Sequence, residues 1–240
     1  ESNYINATGL KGKREKVILD NPSSQTYSAV VQHTGNLGSS QEFFGAVETT
    51  SLSLSNINDL QGLSAADQNS AKESLGSFLM LPAGNDFRPG FTVGRAELAE
   101  SFIRGGFVTQ YVAGSPQYTD VSDLTTRNAV ESVQNNFDGK LFYDATNGSD
   151  FNPFQNTSKL VSAVALVKAS DLDTQQNLST ATLPITVTDA LSIPSNLRPY
   201  VAIAIDNGLV ELDGNSFNSS RSITRLELAK GLVKLRSLAK

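Results

Sequence analysis

Two stretches of this chain, residues 59–105 and 189–235, align with each other without a gap. Their identical positions include a Gly-Asn-x-Phe run and, further on, an Arg-x-Glu-Leu-Ala run. A repeat of this length constrains the fold strongly, because each copy must form the same small unit and bury its apolar face against its neighbours. Apolar character is also kept at corresponding positions, which indicates that both copies build the same structure.

A third and more divergent copy lies between these two stretches. It opens with Tyr-Thr-Asp-Val at 118–121, where the last copy has Val-Thr-Asp-Ala at 187–190. It closes with Asn-Thr-Ser-Lys-Leu at 156–160, which aligns with Ser-Ile-Thr-Arg-Leu at 222–226. The corresponding residues of the three copies are Asp59, Asp120 and Asp189; Gly84, Gly148 and Gly214; and Arg95, Lys159 and Arg225.

Each copy has the pattern of two helices joined by a short connection. In the last copy, Pro199 suits the first turn of a helix, and Asn207-Gly208 is a typical helix end. The second helix is predicted to begin after Thr224, because Thr224 and Glu227 form a capping-box pattern before an apolar run. Glu97 has the corresponding place in the first copy and is interpreted in the same way. The chain is therefore predicted to be mainly α.

The composition excludes several classes of protein. The 240 residues carry a net charge of −5, and their only basic cluster, residues 11–16, is too small for a nucleic-acid interface. No apolar run is long enough to span a membrane. There is no Cys and only one histidine, His33, so a thiolate site, a typical zinc site and a Ser-His-Asp triad are not expected. No cofactor is predicted, and the chain is interpreted as non-catalytic.

The amino-terminal part differs from the repeats. Strand-like runs there predict a small antiparallel β segment over residues 1–55. The chain begins at Glu1 rather than Met, and we interpret it as part of a longer precursor. The predicted organisation is a β segment at 1–55, repeats at 56–115, 116–170 and 183–240, and a linker at 171–182.

The repeats resemble those of the S-layer homology family, whose copies run approximately F-x-D-V, a helix, D-G-x-F-x-P and I-T-R-A-E-x-A. The last copy has DGNSFNSSRSITRLELA at 213–229, the first has AGNDFRPGFTVGRAELA at 83–99, and the middle one has NGSDFNPFQNTSKLVSA at 147–163. The resemblance covers residues 59–240 and implies three helix-connection-helix repeats packed around a pseudo-threefold axis into a prism. The run NPSSQTYSAVVQHTG at 21–35 is similar to accessory β segments of secreted subtilisin-like proteases.

The resemblance also implies a ligand. In this family, clefts between repeats bind secondary cell-wall polysaccharide that often carries a pyruvate ketal. The basic residue of I-T-R-A-E is the best-known binding position, which implies Arg95, Lys159 and Arg225 here. We therefore expect an extracellular location at a bacterial cell surface, a cell-wall polysaccharide as partner, and an upstream catalytic domain as a further partner. The expected polysaccharide-binding set also includes Asp59, Asp120, Asp189, Gly84, Gly148 and Gly214.

The three basic residues are unusual on physical grounds as well. Each is expected at the first position of a helix, where a cation is unfavourable against the helix dipole by ~0.3–1 kcal/mol. A helix start offers free N–H groups, and a basic side chain beside them would complete an anion site. The alternative is a salt bridge between repeats, for example to one of the three aspartates. For the three glycines, the alternatives are a positive φ in a turn or the close approach of a sugar to the backbone.

Three departures from the family pattern keep a second hypothesis open. The chain has no Trp, the motif's Thr is replaced by Gly94 and Ser158, and its Glu is replaced by Val161. The leading hypothesis is a non-catalytic module that anchors a secreted protein through anionic, pyruvylated wall polysaccharide. The alternative is a structural or interaction domain at the carboxy-terminus of a secreted enzyme such as a serine protease, without polysaccharide binding. A glycoside-cleaving carboxylate pair such as Asp59 and Glu97 is a third interpretation that no other sequence feature supports.

Overall fold

The computed structural model describes residues 52–136, 139–146 and 148–238. Within these residues the chain is mainly helical, as predicted, and its β structure consists of isolated bridges rather than a sheet. The β segment predicted over residues 1–55 lies outside the described residues except for its last four positions, where a short 3₁₀ turn (Leu54–Asn56) begins. His33 also lies outside them.

Seven α-helices lie within the described residues. The first copy contributes α1 and α2, the middle copy α3 and α4, and the last copy α6 and α7. The short helix α5 falls within the stretch 171–182 that was predicted as a linker. The helices are α1 (Ala65–Gly76), α2 (Arg95–Gly105), α3 (Leu124–Gln134), α4 (Lys159–Ala169), α5 (Gln175–Thr180), α6 (Arg198–Asp206) and α7 (Arg225–Leu238).

The helix ends of the last copy follow the local sequence signals. Helix α6 has Pro199 in its first turn and ends at Asp206; Asn207 is its C-cap, and Gly208 after it has a φ of 66°. The capping box before α7 is confirmed: the Thr224 amide donates to the Glu227 carboxylate at 2.7 Å, and the Glu227 amide donates to the Thr224 hydroxyl at 3.3 Å. Helix α2 has no such cap, because glycine precedes it.

Helix packing joins different copies of the repeat. The principal pairs are α1 with α7, α2 with α3, and α4 with α6. The first helix of each copy therefore packs against the second helix of another copy. Helix α4 is apolar on all sides, and its residues 159–167 are all buried, as expected for a helix enclosed by its neighbours.

Three short segments, one before each of α2, α4 and α7, meet inside the molecule. The Val93 amide donates to the Ile223 carbonyl (3.1 Å), the Ile223 amide to the Thr157 carbonyl (3.0 Å), and the Thr157 amide to the Val93 carbonyl (2.8 Å). These three bonds close a ring, so the segment of each copy is held by both others. All three side chains are buried, and the Thr157 hydroxyl has no hydrogen-bond partner among the described residues.

Helix α7 approaches its neighbours closely at Gly231. A Cβ atom at this position would lie 2.8 Å from the Leu209 carbonyl oxygen and 3.0 Å from a methyl carbon of Leu166. The corresponding residues of the other copies are Ser101 and Ala165, so all three copies carry a small residue here. Helix α7 can therefore pack this closely against the connection between α6 and α7 because residue 231 has no side chain.

Candidate functional site

Asp59, Asp120 and Asp189 make the same contact in each copy. Each carboxylate accepts hydrogen bonds from two consecutive backbone amides, at 2.8 and 2.6 Å for Asp59, 2.8 and 2.7 Å for Asp120, and 2.7 and 2.7 Å for Asp189. The amides belong to a phenylalanine and to the residue after it. These phenylalanines, Phe87, Phe151 and Phe217, are fully buried.

The aspartates therefore hold the loops that carry the buried phenylalanines, and they do not form salt bridges with the three basic residues. The salt-bridge partners suggested from sequence were wrong, because the three basic residues pair with Asp144, Asp213 and Glu97 instead. Burial raises the pKa of Asp189, but the hydrogen bonds from Phe217 and Asn218 outweigh it, and the pKa lies below the usual range.

The glycines Gly84, Gly148 and Gly214 have φ values of 65°, 82° and 63°. Each lies in the turn shortly before its buried phenylalanine. The positive φ expected from sequence is confirmed, and it is a conformation in which a residue with a Cβ is strained. An added Cβ would meet no atom within 4 Å at any of the three positions, so the backbone angle rather than crowding requires glycine.

Arg95 reaches from the first copy into the middle copy and is 5% exposed. Its Nε donates to the Phe151 carbonyl (2.8 Å), and its two terminal nitrogens donate to Asp144 at 2.8 and 3.1 Å. The guanidinium carbon lies 4.7 Å from the ring centroid of Phe151 and 4.9 Å from that of Phe142. The charge is thus paired in the bidentate geometry that suits arginine and lies against two aromatic rings.

Arg225 makes the equivalent contact between the last copy and the first. Its Nε donates to the Phe87 carbonyl (2.6 Å), one terminal nitrogen donates to the Leu81 carbonyl (2.7 Å), and the other pairs with Glu97. Burial lowers the pKa of the Arg225 guanidinium, and the positive charge of Arg88 lowers it further. Glu97 was interpreted as a capping carboxylate, but its carboxylate pairs with Arg225, and Gly94 before α2 provides no side-chain cap.

Lys159 makes the third contact, from the middle copy to the last, and is 2% exposed. Its ammonium group donates to Asp213 at 3.1 Å and lies 5.4 Å from the ring centroid of Phe217. Asp213 also accepts hydrogen bonds from Asn218 and Arg221. Burial raises the pKa of Asp213, but these three partners outweigh it and hold the pKa below its usual range.

The three contacts run in one direction around the molecule. The basic residue of the first copy lies over the phenylalanine of the middle copy, that of the middle copy over the last, and that of the last over the first. Each pair crosses a boundary between copies. The structure therefore brings the predicted basic, aspartate and glycine positions into three equivalent places, one at each boundary.

The amides at the three helix starts already have partners in the protein. The first two N–H groups of each helix donate to backbone carbonyls of the next copy at 2.7–3.1 Å. The anion site predicted from free helix-start amides therefore has its first two donors occupied. The pairs are Arg95 with Gln155, Ala96 with Pro153, Lys159 with Arg221, Leu160 with Ser219, Arg225 with Phe91, and Leu226 with Pro89.

Solvent reaches the carboxylates of the three boundaries more than the cations. The side chains of Asp144, Asp213 and Glu97 are 35%, 37% and 30% exposed, whereas no basic side chain of the three pairs exceeds 10%. A small cleft lies beside Lys159, between α4, residues 208–211 and α7. At each boundary between copies, the carboxylate is therefore partly exposed to solvent and the cation that it pairs with is buried.

Sequence reasoning missed these carboxylates. Neither Asp144 nor Asp213 was predicted to pair with one of the three basic residues, and Glu97 was interpreted as a cap. Their partners come from another copy, and the three acids occupy different positions within their copies. No periodic signal in the sequence could have identified them as a set.

Within the described residues, no helix combines the length and apolar character needed to cross a bilayer, and no group of acidic or histidine side chains is arranged to hold a metal ion.

Comparison with protein-family models gives no match, and comparison with curated proteins gives no significant similarity.

Proposed function

We propose that this chain is a non-catalytic module of the S-layer homology type, which holds a secreted protein at a bacterial cell surface by binding an anionic wall polysaccharide. One observation carries the proposal: the same unit recurs at all three boundaries between copies. That unit is a basic residue at a helix start, stacked on the phenylalanine of the next copy and covered by one carboxylate.

The same recurrence supports a prism of three repeats around a pseudo-threefold axis. The helix pairs α1–α7, α2–α3 and α4–α6 follow one another in a closed order. The hydrogen-bonded ring of Val93, Thr157 and Ile223 takes one corresponding residue from each copy, as three related copies would require. Three equivalent boundaries on one rigid body suit a polymer with regularly spaced acids, because engagement of a second site is then intramolecular.

An acidic group of the polysaccharide can reach one of these basic residues only by replacing the protein carboxylate that pairs with it. Exchange of one carboxylate for another keeps the buried cation neutralised, whereas simple loss of the partner would leave a charge unpaired in a buried place. Arginine suits such an exchange because its planar fork binds any carboxylate through two parallel hydrogen bonds. We propose that pyruvate-ketal or uronate groups bind in this way at Arg95–Asp144 and Arg225–Glu97.

A specific observation favours a second candidate function. The polar groups of Arg95 and Arg225 already donate to carbonyls and carboxylates of the protein, and both side chains are buried. Under this alternative the basic residues only fasten the repeats together. The module is then a structural or interaction domain attached to a secreted enzyme, and it binds no polysaccharide.

Neutralising the covering carboxylates separates the two candidates. Asp144→Asn and Glu97→Gln remove the competing charge and leave each arginine in place. If polymer acids bind by exchange, both variants bind purified wall polysaccharide at least severalfold more tightly than the wild-type chain. If the repeats are only a scaffold, no variant binds and the changes lower stability alone.

The matched control is Glu73→Gln, which makes the same chemical change at an exposed residue of α1. It should leave polysaccharide binding unchanged in isothermal titration calorimetry. Equal polysaccharide affinity for wild type, Asp144→Asn and Glu97→Gln would rule out exchange at these two pairs.

A further inference from the structure

Arg88 is an exposed cation outside the three boundary pairs. The guanidinium carbon of Arg88 is 5.4 Å from the ring centroid of Phe91, and Phe91 is itself 62% exposed. Among the described residues, no carboxylate forms a salt bridge with the Arg88 side chain. Arg88 and Phe91 therefore present a positive charge and an aromatic ring together at the surface.

The backbone holds this pair in a fixed position. The Arg88 amide donates to Asp59 at 2.6 Å, and the Phe91 amide donates to the Arg88 carbonyl at 3.1 Å. The carbonyl of Phe91 accepts from the Arg225 amide at 2.8 Å, and that of Pro89 accepts from an α7 amide at 3.1 Å. A loop fixed from both sides loses little conformational entropy when a ligand binds to it.

The conformation of Arg88 is unusual for its residue type. Its φ is 61°, and the corresponding residues of the other two copies are Asn152 and Asn218, with φ values of 58° and 57°. Asparagine tolerates the left-handed region well, whereas arginine is disfavoured there. A side chain kept in a strained conformation, where the other copies carry the favoured residue, indicates a role beyond the fold.

The last copy shows how such a loop looks when its cation is neutralised. Arg221 stands at the position of Phe91 and is held by Asp213 and Glu227 at the same boundary. In the first copy, Ala83 stands where the last copy has Asp213. The first copy therefore lacks the counterpart of Asp213, and Glu97, its counterpart of Glu227, pairs with Arg225 instead.

We propose that Arg88 and Phe91 form a binding site for a carboxylate-bearing sugar residue, such as a uronic acid or a pyruvylated hexose. Stacking uses the face of the guanidinium and leaves its N–H edge free to take a carboxylate bidentately. The exposed ring of Phe91 gives the apolar face of the sugar a surface to pack on. The inference rests on the proposed wall-polysaccharide function and adds a site that needs no exchange of carboxylates.

The test measures trigalacturonate binding by isothermal titration calorimetry, with the neutral trisaccharide maltotriose as the ligand control. Arg88→Asn, which installs the residue of the other two copies, should weaken trigalacturonate binding at least tenfold. The same variant should melt at the wild-type temperature or above it, because asparagine suits the left-handed conformation. Loss of binding with retained stability cannot be attributed to unfolding.

Two further measurements sharpen the test. Phe91→Ala should weaken trigalacturonate binding severalfold. Maltotriose should bind neither the wild-type chain nor the variants. Wild-type affinity for trigalacturonate in Arg88→Asn, or no binding by the wild-type chain, would overturn the inference.

A failure of the Arg88 site can be distinguished from a failure of the proposed anchoring function. If wild type and Arg88→Asn bind cell-wall sacculi equally well, the Arg88 site is wrong and the anchoring function stands. If sacculi do not bind but trigalacturonate binding still depends on Arg88, the site stands and the anchoring function fails.

Discussion

The guanidinium of Arg225 stacks on the ring of Phe87, 5.2 Å from its centroid, and its Nε donates to the carbonyl of the same phenylalanine. The two residues belong to the last and first copies of the repeat, so this contact closes the series of copies. It also explains why a basic residue stands at a helix start. The dipole disfavours a cation there, but from that position the side chain reaches the next copy.

Removal of Arg95 should destabilise the protein. Arg95→Ala deletes three hydrogen bonds and two aromatic contacts and leaves Asp144 without its partner, so we expect a loss of about 3 kcal/mol in the free energy of unfolding. Urea denaturation followed by circular dichroism measures it. In a double-mutant cycle with Asp144→Ala, the coupling energy should be about 1–3 kcal/mol. Additive effects would show that the pair contributes nothing.

The buried hydroxyl of Thr157 should be replaceable with a gain in stability. Thr157 is fully buried, and the corresponding residues Val93 and Ile223 are apolar. Thr157→Val removes a desolvated polar group of similar volume and should raise the free energy of unfolding by about 1 kcal/mol. Thr157→Ser keeps the hydroxyl, loses a methyl group and should lower it. A less stable valine variant would mean that the hydroxyl has a partner in solution.

Stability should fall in acid. The pKa values of Asp123 and Asp189 are lowered in the folded protein, that of Asp123 chiefly by the hydrogen bond from the Thr126 amide. A lowered folded pKa contributes stability that is fully present above the unfolded value of about 4 and is lost as the pH falls through the folded pKa. Urea unfolding from pH 7 to pH 2.5 should show this decline. Asp189→Asn should make the decline shallower, and an unchanged slope would contradict the assignment.

Gly231 separates helix propensity from packing. Alanine is the better helix former by about 1 kcal/mol, so propensity alone predicts that Gly231→Ala stabilises α7. The contact with the Leu209 carbonyl predicts the opposite, because backbone at 2.8 Å must move. We expect a lower melting temperature. Gly62→Ala is the control, since its Cβ would meet no atom within 4 Å and should leave the melting temperature nearly unchanged.

The sequence predicted the helices well because their signals are local. The capping box at Thr224 and Glu227, the proline in α6 and the positive φ of Gly214 all depend on residues a few positions apart. The alignment of the repeats also identified the middle copy, whose own sequence signals are weak, and it predicted that Lys159 lies at a helix start.

The candidate site was less predictable because its partners come from different copies. The positions of Arg95 and Arg225 were found, but their burial and their acids were not. Glu97 illustrates the difficulty: its spacing within the first copy predicts a cap, but its partner is Arg225 of the last copy. Packing between copies decides which acid pairs with each cation. The sequence pattern within one copy carries no information about that packing.

The most direct test of the proposed function is a pull-down of this chain with purified cell-wall sacculi, before and after mild acid removal of pyruvate ketals. We predict that the chain sediments with untreated sacculi and that binding is lost once the ketals are removed. Absence of binding to either preparation would contradict wall anchoring and leave the repeats as a scaffold for the parent protein.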